Sequence, residues 1–191
     1  MMLCYNVMWH SIICVQKNGG GKKMPVKFNV KMTEDYMYDF MLYHNYTHFS
    51  GLLGAIVGVL AVGLAISNFL KGDTQSAGFA MIVAILFLVV TPRTTKQRAS
   101  MQVKNSKMFQ DVLEYEFNEE GITVRQGELE AATSWSECSK AVSTQKSVII
   151  YITRVRALIF PKSCMGEQYE EVIKMIHTHM PPSKVKIRHI H

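Results

Sequence analysis

The stretch that most constrains this chain runs from Phe49 to Thr91. Its first part, FSGLLGAIVGVLAVGLAISNFL, contains no charged residue. As a helix rising 1.5 Å per residue it reaches roughly 30 Å, the thickness of a bilayer's hydrocarbon core. A short polar connection, KGDTQS, leads into AGFAMIVAILFLVVT. This second run needs Ser76 and Thr91 to approach ~24 Å, a length that also suits a buried core helix. It follows a full span directly, however, and its far end carries Pro92 and Arg93. The pattern predicts a transmembrane hairpin over residues 49–91, with helices at about 49–70 and 76–91.

Small residues are spaced for helix packing. Gly54 and Gly58 form a GxxxG pair, Ala61 and Ala65 repeat the spacing, and Ala80 and Ala84 offer a matching face. In lipid there is no water to expel between helices, so close backbone approach drives association. The stripe suits packing within the hairpin. It also suits packing between chains, which would make a homo-oligomer.

Charge sets the expected orientation. The chain has 191 residues and a formal net charge of +6. Its basic residues do not form a dense run with interleaved aromatics, so no nucleic-acid partner is expected. They gather after the second run instead: Arg93, Lys96, Arg98, Lys104 and Lys107. The hairpin loop carries only Lys71. The positive-inside rule then places both termini in the cytoplasm, in a multi-pass protein of the cell membrane. The cluster falls where anionic lipid headgroups would lie, each charge being worth ~1 kcal/mol at such a surface. It serves equally well as a plain topology signal.

Metal and redox chemistry find no pattern. Cys4, Cys14, Cys138 and Cys164 make no CxxC or Cys/His set, and a cytoplasmic setting implies free thiols. His44 and His48 share a helix face at i and i+4, without the Glu of HExxH. His177, His179, His189 and His191 are expected to be solvated. No metal and no cofactor is expected.

The first 23 residues have no basic start and no small-residue cleavage site. The string Gly19-Gly20-Gly21-Lys22-Lys23-Met24 can encode a purine-rich ribosome-binding sequence before a start codon. We therefore expect Met24 to be the true start, with residues 1–23 a translated leader or disordered.

Residues 24–48 read as a strand followed by an interfacial helix. Val26, Phe28, Val30 and Met32 alternate with Lys27, Asn29 and Lys31, the period of a half-buried strand. Thr33-Glu34-Asp35 supplies a capping hydroxyl and acids for a helix start. Tyr36, Tyr38, Tyr43 and Tyr46 then suit a membrane interface.

Residues 92–180 read as a second domain. Residues 95–110 can continue the second helix. Short strands follow at 113–117, 122–124, 129–133, 140–144, 147–153 and 156–160, each bounded by polar residues. Ser134-Trp135-Ser136-Glu137 has capping-box spacing, so a helical turn begins there. Trp135 is expected to be a core anchor rather than a ligand-contacting ring, and Pro161 ends the last strand. Residues 167–180 keep helical spacing until Pro181-Pro182 stop them. The basic tail, 181–191, should be loose. Short antiparallel strands closed by one C-terminal helix are the order of a pleckstrin-homology-like split barrel. The fold class is therefore an α+β membrane protein, with a two-helix hairpin and an antiparallel β domain. The strand at 26–32 precedes the hairpin and needs a partner, so the hairpin is expected to be an insertion in the β domain.

TEDYMYDFMLYH, the two apolar runs, YEFNEEGITV, the SWSE turn and RALIFPK occur in this order. In these marks the chain resembles the YcxB-like proteins, small bacterial membrane proteins, over most of residues 26–180. The resemblance implies a cytoplasmic pleckstrin-homology-type domain on a two-helix anchor, and brings no catalytic residues. Cys138 departs from the family pattern, which usually has an aliphatic residue after the Trp turn.

No GxSxG, P-loop or HExxH motif places a nucleophile, acid or metal. The expectation is therefore no enzyme, but a membrane-tethered binding or regulatory module. Its partners would be the lipid bilayer, and anionic headgroups or a membrane protein. The alternative is an immunity or envelope-protection protein that blunts membrane-active peptides.

Overall fold

A computed structural model describes residues 25–47, 49–154 and 156–187. The expected leader, Met24, Cys4, Cys14, His48, His189 and His191 lie outside them. The described residues form two compact units, one from 25–36 together with those of 106–187, the other from those of 37–105.

The first unit holds two four-stranded sheets. In one, strands β1 (Val26–Val30), β2 (Leu113–Phe117), β3 (Gly121–Gln126) and β4 (Leu129–Ser134) lie in that order, all antiparallel. The early strand is therefore in the sheet, with Val26 opposite Phe117 and Val30 opposite Leu113. The second sheet contains β5 (Lys140–Ser143), β6 (Ser147–Tyr151), β7 (Ala157–Pro161) and β8 (Val185–Lys186), in the order β7-β6-β5-β8. Pro161 ends β7 opposite Ser147, as expected.

Alternation explains which side chains face inward. Val26, Phe28 and Val30 are buried while Lys27 and Asn29 are exposed. Leu113, Tyr115 and Phe117 do the same on β2. They meet Val148, Ile150, Leu158 and Phe160 of the second sheet in one core. Phe160 sits edge-on to Tyr115 and Phe117, with ring centroids 4.9 and 5.1 Å apart. Helix α7 (Tyr169–His179) adds Val172, Ile173 and Ile176 to this core. The outer face of the first sheet carries a charge ladder. Lys27 lies 3.3 Å from Glu116, Arg125 bonds Glu116, and Arg125 also reaches Glu130 at 3.2 Å. Burial pushes the Glu116 carboxyl up, but the hydrogen bonds from Arg125 and Lys27 outweigh it and hold it below the usual carboxylate range.

The tail differs from expectation. After a 3-10 turn at Pro182–Lys184, Val185 and Lys186 pair in parallel with Ala141 and Val142. Ile187 is buried. The spacing of Val185 and Ile187 is that of a strand, and the open edge of β5 supplies the backbone partners.

The second unit is helical. Helix α1 (Glu34–Thr47) starts in the first unit, where the Thr33 hydroxyl accepts the Tyr36 N–H at 3.4 Å. Helix α2 spans Phe49–Leu70. Helix α3 (Thr74–Ile85) continues through a π segment (Leu86–Val90) into α4 (Thr91–Asn105). The helix thus continues past the apolar run and through Pro92 as far as Asn105. Proline lacks an N–H and crowds the carbonyl one turn back. The wider π turn before it relieves that crowding. The Thr91 N–H and hydroxyl both donate to the Leu86 carbonyl, which closes the turn. Ser106 breaks the helix before the short α5 (Lys107–Gln110).

Several of the small residues of α2 and α3 are buried. Ala61, Ala65 and Ala84 are buried and Ala80 is half-buried. Ala77 joins them, also buried. A β-carbon on Gly58 would lie 2.8 Å from Leu88 Cγ, and one on Gly54 would lie 3.0 Å from Phe87 Cδ1. The outer faces are apolar and open, with Leu60 62% and Ile82 60% exposed. Both Gly51–Leu70 and Thr74–Asn105 are long and apolar enough to cross a membrane.

Candidate functional site

Three segments distant in sequence line an open groove of about 590 Å³. Thr33, Asp35 and Tyr36 come from the start of α1, Gln145 and Lys146 from the β5–β6 turn, and Lys162 and Ser163 from helix α6 (Lys162–Met165). All seven belong to the first unit. The β5–β6 turn is tight because the Thr144 hydroxyl accepts the Ser147 N–H at 2.9 Å. The Lys162 N–H reaches the Lys146 carbonyl at 2.9 Å, which brings the turn against α6. The Lys162 ammonium donates to the Thr144 carbonyl at 2.7 Å. Lys146 stands 3.8 Å from Asp35, with both side chains largely exposed. The Tyr36 hydroxyl lies 2.6 Å from Ser163 Oγ. The groove thus sets two ammonium groups and a pair of hydroxyls around one carboxylate.

Sequence reasoning missed this groove. The hydroxyl of Tyr36, a residue expected at a membrane interface, meets Ser163 at 2.6 Å. No local pattern links residues 33–36, 145–146 and 162–163. The nearest signal is Pro161-Lys162 at a strand end, which places a lysine at a corner of the sheet.

The expected lipid-facing residues stand elsewhere. Arg93, Lys96, Arg98 and Lys104 are all exposed on α4, and Lys107 is exposed on α5. At about 100° per residue, Arg93, Lys96 and Lys104 share one face of α4 and Arg98 turns away. Thr95 and Ala99 occupy the buried side.

Trp135 lies at another corner of the β unit, 7% exposed. The expected capping box holds its turn, with Glu137 accepting the Ser134 N–H at 3.1 Å. The indole N–H donates to the Asn118 carbonyl at 2.9 Å. His179 stacks on the indole at 5.0 Å with a 12° interplanar angle, and its Nε2 is 3.1 Å from Glu119. His179 was expected to be solvated. Its place in the last turn of α7 brings it against the Trp135 ring instead. Cys138 is buried beside this turn, and burial pushes its thiol up to about 11. Among the described residues, no group of three or more His, Cys, Asp or Glu could hold a metal.

The β strands, the SWSE turn and the closing helix are also where a known family is found. Residues 117–176 match the family model of the YcxB-like protein. The match begins at the last residue of β2 and ends inside α7, so it covers β3 to β7 and the Trp135 turn. It includes Gln145, Lys146, Lys162 and Ser163 of the groove, but not Thr33, Asp35 or Tyr36. The resemblance seen in sequence thus holds for this YcxB-like segment. No curated protein and no solved structure matches the chain.

Proposed function

We propose that this chain is a membrane-anchored, non-catalytic binding or regulatory module. The α2–α3 hairpin crosses the cell membrane, both termini are cytoplasmic, and the YcxB-like β unit works at the cytoplasmic face. The observation that carries this reading is the hairpin's surface. Ala61, Ala65, Ala77 and Ala84 are buried, while leucines, isoleucines, valines and phenylalanines cover the outside. In water so large an apolar surface would drive association, whereas in lipid it needs no partner.

The β unit supports a pleckstrin-homology-type reading, since two antiparallel sheets share one core with a C-terminal helix. The exposed basic face of α4 suits anionic headgroups. These lipids or a second membrane protein are the partners this reading implies.

Labelling of intact cells tests it. A Thr74→Cys chain should react with a membrane-impermeant thiol reagent at the α2–α3 connection, and Cys164 should not. Labelling of Cys164 alone would invert the orientation. Release of the protein by a high-salt wash would remove the anchor altogether.

A further inference from the structure

The groove between α1, the β5–β6 turn and α6 has a charge pattern that membrane anchoring does not use. We propose that it binds an amine-bearing phosphoester, of the phosphoethanolamine class. Lys146 and Lys162 are two ammonium groups on its wall, and lysine binds phosphate as a point charge. The Thr144 carbonyl holds the Lys162 ammonium in place at 2.7 Å, so little ordering is left for a ligand to impose. Lys146 is less constrained. Its 3.8 Å contact with Asp35 joins two largely exposed groups, and such a pair opens at little cost.

Hydroxyls complete the donor set. Tyr36 and Ser163 share one hydrogen bond at 2.6 Å, which uses one of their two hydroxyl protons and leaves the other to donate to a ligand. The Thr33 oxygen accepts the Tyr36 N–H at 3.4 Å, and its own O–H can still donate. These groups favour phosphate oxygens. Asp35 does not, because a bare phosphate beside it would be repelled. A ligand with an ammonium group on a short arm satisfies all three charges, phosphate toward the lysines and amine toward Asp35. The volume of about 590 Å³ falls within the usual range for small-ligand sites, and the open side leaves room for a diester's second substituent. This inference does not depend on the orientation of the hairpin.

The test uses the full chain in a neutral, phosphate-free detergent, titrated calorimetrically with phosphoethanolamine, inorganic phosphate and ethanolamine. Phosphoethanolamine should bind saturably and about tenfold tighter than inorganic phosphate, the scale of one charge-assisted contact. Lys146→Gln, at an exposed turn position, should weaken it by a similar factor with an unchanged melting temperature. Asp35→Asn should make phosphoethanolamine and inorganic phosphate equal. Arg93→Gln with Lys96→Gln on α4 should leave the titration unaltered. Short-chain phosphatidylethanolamine then separates two sources: competition marks a lipid headgroup, and its failure beside binding of the free ester marks a soluble ligand. No saturable binding, or binding that Lys146→Gln leaves intact, overturns the site. Equal affinity for both phosphates in the unmodified chain overturns the role of the amine.

Discussion

At the scale of single residues, Trp135 is held from several sides. It stacks on His179, leans on Phe117 with centroids 6.0 Å apart, and donates to Asn118. Removing it opens a cavity and orphans a carbonyl at once. Trp135→Ala should cost roughly 3–5 kcal/mol, read as a large fall in melting temperature. Trp135→Phe keeps most of the ring and should lose only about 1 kcal/mol, the scale of one hydrogen bond. A Trp135→Ala chain that melts normally would show the ring to be a surface feature. Cys138 makes a second prediction. Burial, helped by the neighbouring Glu137 charge, raises its thiol from 9.0 to about 11. The folded chain then holds this proton more tightly than the unfolded chain does. The thiol's contribution is full below pH 9 and is lost as pH rises toward 11. Urea midpoints of the native chain should therefore fall more steeply over that window than those of Cys138→Ala. Parallel slopes would refute it. The capping box made Trp135 legible in the sequence, because Ser134 and Glu137 announce a fixed turn. The His179 stack was not legible, since it depends on where α7 ends in space.

At the scale of elements, the hairpin stripe gives a paired test. A β-carbon on Gly58 would lie 2.8 Å from Leu88 Cγ and 3.1 Å from Phe87 Cβ, whereas one on Gly63 would meet nothing within 4 Å. Gly58→Ile should separate α2 from the π segment and lower the helical melting temperature in detergent. Gly63→Ile, on the open side of the same helix, should leave it unchanged. Equal effects would mean that side-chain size, not packing, is being measured. The stripe could be read from sequence because four-residue spacing puts small residues on one helix face. The π segment could not. Continuation past Pro92 was open to the sequence, but no residue pattern marks the π turn at Leu86–Val90 by which the helix accommodates the proline. Strand β8 was hidden for a different reason. Two residues carry too little alternation to announce a strand, and its pairing comes from the free edge of β5.

At the scale of the whole molecule, the helical unit is an insertion within the β unit. Strand β1 lies before the helices in the chain and pairs with β2 after them, along Val26–Val30 and Leu113–Phe117. The alternation at 26–32 made this legible, because an amphipathic strand must find both a covered face and a backbone partner. β1 buries Val26, Phe28 and Val30, and Met32 just beyond it is buried too. Full burial of such side chains stabilises by about 1.5–3 kcal/mol each, so losing the strand should cost several kcal/mol in all. Without it, the edge of β2 and the rings of Tyr115 and Phe117 would face water. The test joins residues 25–36 to residues 106–191 through a flexible Gly/Ser linker of about twelve residues, which spans roughly 20 Å. The joined chain should melt in one cooperative transition. Residues 106–191 alone should melt lower, with a broader transition, and bind more of a dye for exposed apolar surface. Adding residues 25–36 as a separate peptide should partly restore the melting temperature, because the register is set by alternation and not by the connection. If the two chains melt alike, β1 contributes nothing to the sheet's stability. The helices would then lead into the β unit without being built into it.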